Sequence, residues 1–220
     1  TADDTTDSLV RVRIYYALRR AGVPHLMPAK TVFVDHVGEE KRARHEAREL
    51  ASRLAALRSV SLFHSLTSDE LELLAGALSH APFAPGEAIV LQGKDVHHLY
   101  VLTRGSAEIR VEVPGAPARV VATLEAPNFF GEMGMLTGEP RRATVIALSE
   151  VDCWRLEKER FQGILTHRPQ IADEISAVLA EREVELVAVR EGLSEEAKRL
   201  RLASAHSTLA GRIRAFFALD

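Results

Sequence analysis

The sequence lacks most of the features that mark a specialised class of protein. It has a single cysteine, Cys153, in 220 residues, which excludes an intrachain disulfide and a cysteine cluster for zinc or redox chemistry. None of its apolar runs approaches the length of about 20 residues that spans a bilayer, and no signal peptide precedes the first domain. These absences predict a soluble polypeptide from a reducing compartment.

The charges are nearly balanced, with 28 Lys and Arg, 31 Asp and Glu, and a formal net charge of −3. The chain therefore lacks the excess of basic residues that would indicate a nucleic-acid partner. The nine histidines, including His97-His98, are scattered without paired metal-ligand spacing or a Ser-His-Asp order. We therefore predict no catalytic residues, no metal site, no cofactor and no nucleic acid.

The length and the 46% hydrophobic content allow one or two domains with a substantial core. The sequence begins at Thr1 rather than at a methionine. We therefore expect a piece of a longer protein.

Residues 129–144 are the most informative part of the chain. Glycines on both sides of Glu132, Gly131 and Gly134, permit close approach of the backbone to a ligand, and a short helix starting there would add its positive dipole end. Arg141 follows a Thr-Gly-Glu-Pro turn and can offer a planar fork of donors to a phosphate from the other side. Glu132 requires a donor such as a ribose hydroxyl. The pattern predicts a ligand with one phosphate charge and a free ribose hydroxyl.

This segment resembles the phosphate-binding cassette of cyclic nucleotide-binding domains, whose pattern is Phe-Gly-Glu, a Leu, a short turn and then Arg. The resemblance covers residues 62–190 and implies an α+β fold, an antiparallel β-roll or jelly-roll barrel flanked by helices at both ends. Two alternatives stay open: a surface turn with a structural ion pair, and a domain that keeps the fold without its ligand. The flanking motifs are Leu62-Phe63, Phe83-Ala84-Pro85-Gly86-Glu87, Gln92-Gly93-Lys94 and Leu99-Tyr100-Val101-Leu102 with Gly105.

The resemblance implies a 3′,5′-cyclic nucleotide ligand, cAMP or possibly cGMP. The cyclic phosphate would lie against the N–H groups of Met133 and Gly134, with Arg141 neutralising it and Glu132 accepting from the ribose 2′-hydroxyl. The purine is expected to contact Leu124, with Val111 and Ala122 as weaker candidates.

Two further arginines are candidates for the site. The family commonly has Ala, Ser or Thr where this sequence has Arg142, and the lack of a hydroxyl there favours cAMP. Arg142 has three alternatives: to point to solvent, to add a second charge at the phosphate, or to replace Arg141. Arg182 falls on the apolar face of a helix that begins at Pro169, where it would either cover the base or snorkel to the edge of the stripe.

The N-terminal residues suggest a second resemblance. Leu9–Ala21 has helical spacing, with Asp7 or Ser8 as the N-cap and Gly22 as the C-cap, and Thr31–Val34 is predicted to form a strand. Residues 12–24 with Pro28 resemble the C-terminal end of the cytoplasmic domain of small-conductance mechanosensitive (MscS-like) channels, although His25-Leu26-Met27 departs from the family pattern.

The second resemblance implies a bacterial channel gated by a cyclic nucleotide. The fragment would then be a soluble part on the cytoplasmic side of the inner membrane, with the rest of the channel as its partner and a homo-oligomer, a heptamer in that family, as its assembly. We divide the chain into a channel-domain end (1–36), a linker helix (37–60), the nucleotide-binding domain (61–191) and a C-terminal helical extension (192–220).

The remaining elements follow from periodicity and capping signals. Glu39–Arg58 is predicted to form a solvated connecting helix with a Glu49/Arg53 pair, which acts either as a lever or as a spacer. Thr67 caps an amphipathic helix, and Phe83–Leu156 has the punctuation of a small antiparallel barrel. Leu193–Leu219 forms one more helix, which contacts a membrane surface or a partner, or belongs to an oligomer.

Other functional classes compete with the channel hypothesis. A transcription regulator similar to the catabolite activator protein needs a helix-turn-helix, but residues 192–220 have room for one helix only. A kinase regulatory subunit would show a basic inhibitor segment or a second tandem site, and neither appears. We therefore predict a regulatory ligand-binding module that couples nucleotide binding to gating.

Overall fold

The computed structural model describes residues 2–23, 39–112, 117–191 and 194–219. These ranges contain seven α-helices, eight strands and one 3-10 turn, Ser61–Phe63. The helices are α1 (Ala2–Arg20), α2 (Glu39–Arg58), α3 (Ser68–Ala77), α4 (Glu132–Thr137), α5 (Lys158–His167), α6 (Ile171–Glu191) and α7 (Glu195–Phe217). The strands are β1 (Ser79–Phe83), β2 (Ala88–Val90), β3 (His98–Arg104), β4 (Ser106–Val111), β5 (Arg119–Glu125), β6 (Asn128–Phe130), β7 (Thr144–Ala147) and β8 (Val151–Glu157).

The strands form two antiparallel four-stranded sheets, in the orders β1-β8-β3-β6 and β2-β7-β4-β5. Consecutive strands often belong to different sheets, so each sheet pairs strands that are far apart in the chain. The α+β fold, with an antiparallel barrel flanked by helices, is the predicted one. In the described ranges no helix is both long and apolar enough to cross a bilayer.

Two apolar clusters stabilise the molecule, one between the sheets and one between the first sheet and the helices. Strand β3 contributes to both, because successive side chains point to opposite faces. Tyr100 and Leu102 point into the barrel, whereas Leu99 and Val101 pack under the helices. Strands β6 and β8 likewise contribute residues to both clusters, so the first sheet separates the barrel interior from the helical layer and packs against both.

Helix α1 docks on the outside of the barrel through its last turn. Arg20 donates from Nη1 to the carbonyl oxygen of Pro82 at 2.9 Å and pairs with Glu87 at 2.6 Å. Its guanidinium carbon lies 4.6 Å from the ring centroid of Phe83, within cation–π distance. The helix ends in a Schellman motif at Gly22, whose φ is +67°.

Helix α2 packs on β8 around the single tryptophan of the chain. The guanidinium carbon of Arg53 lies 5.1 Å from the ring centroid of Trp154, and Arg53 also pairs with Glu49 at 2.6 Å, as predicted. On its other side the Trp154 ring lies 5.2 Å from His80 of β1. Trp154 is 7% exposed, so the docked end of α2 buries it.

Helix α7 is an integral part of the helical layer. It packs on α6, α4 and α5 and buries Leu209, Ile213 and Phe217. Arg214 pairs with Asp173 of α6 at 2.5 Å. The buried apolar side chains of α7 thus pack within the chain itself.

The described ranges test several predicted boundaries. Helix α2 and the Thr67 capping box with Glu70 are confirmed. The predicted start of α1 is wrong, because the helix begins at Ala2 and continues through Asp7 and Ser8. Polar residues that can cap a helix also occur within helices, so a capping residue type does not by itself fix where a helix begins. The predicted strand 31–34 lies outside the described residues.

Candidate ligand-binding site

A cavity of about 300 Å³ lies between the second sheet, helix α4 with its flanking loops, and helix α6. Seven of the eight predicted site residues line it. They are Gly131, Glu132, Met133, Gly134, Arg141, Arg142 and Arg182. Leu124 does not line it.

Arg141 is the central charged group of this cavity. Its side chain is buried, with 4% of the residue exposed, and it donates from Nη1 to the Gly131 carbonyl and from Nη2 to the His98 carbonyl, both at 2.5 Å. Its Nε is buried without a hydrogen-bond partner. Among the described residues no carboxylate lies within ion-pair distance of it, so two carbonyl dipoles hold a buried cation.

Burial lowers the pKa of the Arg141 guanidinium, and the charges of Tyr100 and Glu132 partly oppose that effect. Arginine nevertheless remains protonated in proteins. A buried cation without a counter-ion is costly, and an anionic ligand in the cavity would offset that cost.

The glycines of the cassette make room for this guanidinium. Gly131 has a φ of +82°, and a Cβ built on it would lie 2.5 Å from Nη1 of Arg141. A Cβ on Gly134 would lie 3.1 Å from the same atom and 3.0 Å from the carbonyl oxygen of Val96. Both positions therefore favour glycine because of close packing, and Gly131 does so also because of its left-handed backbone.

Helix α4 has only six residues and begins at Glu132, with Gly131 as its N-cap. The N–H groups of a first helical turn have no acceptor within the helix, and Glu132, Met133 and Gly134 are in that turn beside Arg141. The geometry thus places backbone donors, a guanidinium and one carboxylate around the same space.

The floor of the cavity is a row of aliphatic side chains from three neighbouring strands. Val90 pairs with Val145 and Val145 pairs with Ile109 in the sheet register, and all three line the cavity. The sequence analysis missed these residues. Residues directly opposite in a sheet share a face, so only the strand register, which the sequence does not give, could have identified them.

Leu124, the predicted contact of the purine, lies outside the lining of this cavity, and its role stays a prediction. Leu124 pairs with Ala107, two residues along β4 from Ile109, and it is 6% exposed within the inner cluster of the barrel. It faces the same side as the floor but lies deeper, where side chains fill the barrel. Of the weaker candidates, Ala122 pairs directly with Ile109, while Val111 is at the end of β4.

Arg142 lines the cavity but is engaged by carboxylates. Its Nη2 lies 2.8 Å from Oε2 of Glu139, and its Nη1 lies 3.5 Å from Oε1 of Glu183 on α6. Arg142 thus bridges the cassette turn and helix α6, and its side chain is 46% exposed. The three alternatives for its role stay predictions.

Arg182 lies at the edge of the cavity on α6. Its guanidinium carbon is 4.2 Å from the ring centroid of Phe129, and its Nη2 donates to Oδ1 of Asn128 at 3.1 Å. Its Nη1 is buried without a partner. The side chain therefore stacks on the cassette strand β6, with Leu179 one turn away also lining the cavity.

A protein-family model described as the cyclic nucleotide-binding domain matches residues 81–168. The match includes the cassette and the floor of the cavity. Residues 81–168 form a cyclic nucleotide-binding domain. The domain is followed by α6 and α7, which pack on it but lie outside the matched residues.

Curated relatives of this domain are regulatory subunits of cAMP-dependent protein kinase. The protein from Dictyostelium discoideum is 35% identical over 111 residues, which are 49% of this chain and 34% of the relative. The protein from Yarrowia lipolytica is 31% identical over 155 residues, 69% of this chain and 40% of the relative. The chain thus spans about a third to two-fifths of the length of these relatives.

Solved structures agree with the fold. The regulatory domain of Toxoplasma gondii PKA, crystallised with cAMP, is 27% identical with a TM-score of 0.57, over 63% of this chain and 52% of that one. The N-terminal domain of a Streptomyces coelicolor transcriptional regulator is 26% identical with a TM-score of 0.51, over 64% of this chain and 98% of that one. The domain therefore occurs in proteins with different outputs.

These relatives do not support the channel context predicted from residues 12–34. Part of that segment, residues 24–34, lies outside the described residues. The kinase class was set aside for lack of an inhibitor segment or a second site, yet kinase subunits are among the relatives. Because the chain matches only part of each relative, the absence of these two features does not argue against the kinase class.

Proposed function

We propose that this chain is a regulatory module that binds a 3′,5′-cyclic nucleotide, cAMP in preference to cGMP, and transmits its occupancy through α6 and α7. The observation that carries the proposal is Arg141, a buried guanidinium with no carboxylate partner in the described ranges. The kinase regulatory subunits named above, one of them crystallised with cAMP, support the choice of ligand class.

In this mechanism Arg141 compensates the single charge of the cyclic phosphate, and the first-turn N–H groups of α4 donate to its oxygens. Glu132 accepts from the ribose 2′-hydroxyl, which rejects a 2′-deoxy ligand. The aliphatic row of Val90, Ile109 and Val145 contacts the purine or the sugar. The single guanidinium fits one phosphate charge rather than the chain of charges in ATP.

Helix α6 would convert binding into a conformational signal. Leu179, Arg182 and Glu183 of this helix line the cavity, so a ligand contacts the barrel and the helix at once. A ligand shifts an equilibrium only by its differential affinity for the two states, and such coupling is typically about 1–3 kcal/mol. Contacts with α6 are the part of the site that can differ between states.

Isothermal titration of the chain with cAMP and then cGMP tests the proposal. We expect micromolar binding of cAMP and weaker binding of cGMP. Arg141→Ala should weaken binding by at least about 100-fold, since two charge-assisted hydrogen bonds are lost. Arg160→Ala, which removes an exposed arginine of α5 outside the cavity, should leave it unchanged.

Arg141→Lys distinguishes a lost contact from misfolding, because it keeps the charge but not the planar fork. A folded wild-type chain that binds neither nucleotide would reject the proposal. So would undiminished binding by both Arg141 variants.

The output partner has two candidates. The relatives favour a protein kinase catalytic subunit, whose inhibition by this chain would be relieved by cAMP. The resemblance of residues 12–34 favours an MscS-like channel, homo-oligomeric, in which cAMP would change the open probability of the reconstituted parent protein. Kinase inhibition assays and single-channel recordings separate the two.

A further inference from the structure

Two consecutive arginines line the same cavity but differ in their charge environment. Among the described residues Arg141 has no carboxylate within ion-pair distance, whereas Arg142 has two. Nε and Nη2 of Arg142 lie 2.9 and 2.8 Å from the same oxygen of Glu139, and Nη1 lies 3.5 Å from Glu183. Of these two, Arg141 thus offers an uncompensated positive charge to a ligand. The third arginine of the lining, Arg182, lies at the edge of the cavity, where it stacks on Phe129 and donates to Asn128.

Glu139 is itself held in place by the last helix. Its second carboxylate oxygen contacts the guanidinium of Arg212 on α7, which also donates to Oγ1 of Thr137 at 3.3 Å. An exposed ion pair alone contributes little. Here four alternating charges from the cassette turn, α6 and α7 form one network, so the position of Arg142 is fixed from two sides.

The number of available cations bears on which phosphates the cavity accepts. A cyclic phosphodiester has one negative charge, whereas a phosphate monoester has about −1.5 to −2 at pH 7, because its second pKa is about 6. One guanidinium balances the charge of the cyclic phosphodiester. It leaves the phosphate monoester with a partly uncompensated charge in a half-buried cavity, which is unfavourable. A released Arg142 would supply the missing cation.

We propose that Glu139, oriented by Arg212 and assisted by Glu183, is a positioning residue that withholds Arg142 from the anion site and so selects singly charged phosphodiesters over dianionic nucleoside monophosphates. This inference rests on the proposed function. It assigns a role in ligand selection to a turn residue and a helix α7 residue that lie outside the anion site itself.

The test is the ratio of the dissociation constants of 5′-AMP and cAMP. Glu139→Gln keeps the shape of the side chain and removes its charge. We expect it to improve the relative affinity for 5′-AMP by about tenfold, equivalent to roughly 1.4 kcal/mol. Glu139→Gln/Arg142→Gln should abolish the gain, because the released cation is then absent.

The pH dependence gives a readout that a merely structural role would not move. The gain in relative affinity for 5′-AMP should grow between pH 5.5 and 7.5, because the phosphate of 5′-AMP loses its second proton over this range. The cyclic phosphodiester of cAMP has no second proton to lose. His98 beside Arg141 stays neutral over this range, since burial lowers its pKa to about 4. A general loosening of the cavity would instead lower the affinity for both ligands alike.

Two further variants serve as checks. Glu183→Gln removes the other anchor of Arg142 and should shift the ratio in the same direction by a smaller factor. Glu159→Gln removes an exposed carboxylate of α5 outside the cavity and should leave the ratio unchanged.

The outcomes separate the two proposals. A wild-type chain that binds neither ligand overturns both. If the wild-type chain binds cAMP and neither Glu139→Gln nor Glu183→Gln changes the ratio at any pH, the role of Glu139 is overturned and the proposed function stands.

Discussion

At the scale of single residues, Gly131 determines the geometry around Arg141. Its positive φ turns the chain from β6 into α4, and its missing side chain leaves space for the Arg141 guanidinium. Its carbonyl oxygen accepts from that guanidinium at 2.5 Å. One glycine therefore positions both the cation and the first turn of α4.

Gly131→Ala should reduce both stability and ligand affinity. A left-handed backbone costs an alanine about 1–2 kcal/mol, and the added Cβ would displace Arg141. We expect cAMP affinity to fall at least tenfold, as measured by titration. Gly163→Ala, in the middle of α5 with open space around it, should instead stabilise the chain by about 0.5–1 kcal/mol in urea unfolding. Equal effects of the two changes would contradict this account.

The sequence was sufficient to predict which cassette residues line the cavity, but not the aliphatic residues of its floor. Gly131, Glu132 and Arg141 are close in sequence, so a short motif specifies their geometry. Ile109 and Val145 come together only through the sheet register. Leu124 pairs with Ala107, two positions along β4 from Ile109, and so lies outside the cavity floor. Glu139 lies three residues before Arg142. Glu183, the other partner of Arg142, and Arg212, which contacts Glu139, lie on helices about 40 and 70 residues further along the chain, where no local pattern reveals them.

At the scale of elements, α7 is joined to the cassette at Gly138. This residue ends α4 with a φ of +71°, and a Cβ on it would collide with the ring of Phe216. Phe216 is also in contact with Lys158 of α5, whose Nζ lies 3.6 Å from the ring centroid. The last turn of α7 thus packs against the C-terminal end of α4. The N-terminal end of α4 borders the cavity.

A double-mutant cycle measures this junction. Gly138→Ala should destabilise the chain both through backbone strain and through the clash with Phe216. In a Phe216→Ala background only the strain remains, so we expect a coupling energy of about 1 kcal/mol or more in urea unfolding.

Gly86→Ala is the matched control for this cycle. Gly86 also has a positive φ, +76°, but has nothing near its Cβ position. It should cost the same with and without Phe216. Additive effects at Gly138 would mean that α7 does not pack on the cassette.

Single elements were largely predictable because their signals are local. The charge pattern of α2 and the Thr67 capping box give their own boundaries. The packing of α7 was not predictable, since its sequence is equally compatible with an isolated amphipathic helix. Contacts such as Arg212 with Glu139 form only between distant segments.

At the scale of the whole molecule, burial of His98 makes stability depend on pH. Its ring bonds the Tyr100 hydroxyl at 3.1 Å, and burial, with the charges of Arg141 and Arg155, lowers its pKa from 6.5 to about 4. Between these values the unfolded chain binds a proton that the folded chain does not, so stability is lost as the pH falls.

We expect the wild-type chain to lose about 1 kcal/mol more than His98→Gln between pH 7.5 and 5, after allowance for partial exposure of the ring. Urea unfolding at the two pH values measures this difference. Burial raises the pKa of Glu70, but its hydrogen bonds with Thr67 and Arg168 lower it overall, so Glu70 loses its contribution only at lower pH. A parallel decline in both proteins would refute the role of His98.

The position of Trp154 determines what intrinsic fluorescence can report. The indole lies under Arg53 of α2 and is not among the residues that line the ligand cavity. Nucleotide entry alone would leave its emission unchanged. A spectral change on adding cAMP would therefore be a built-in optical signal that occupancy has reached helix α2, without any label on the protein.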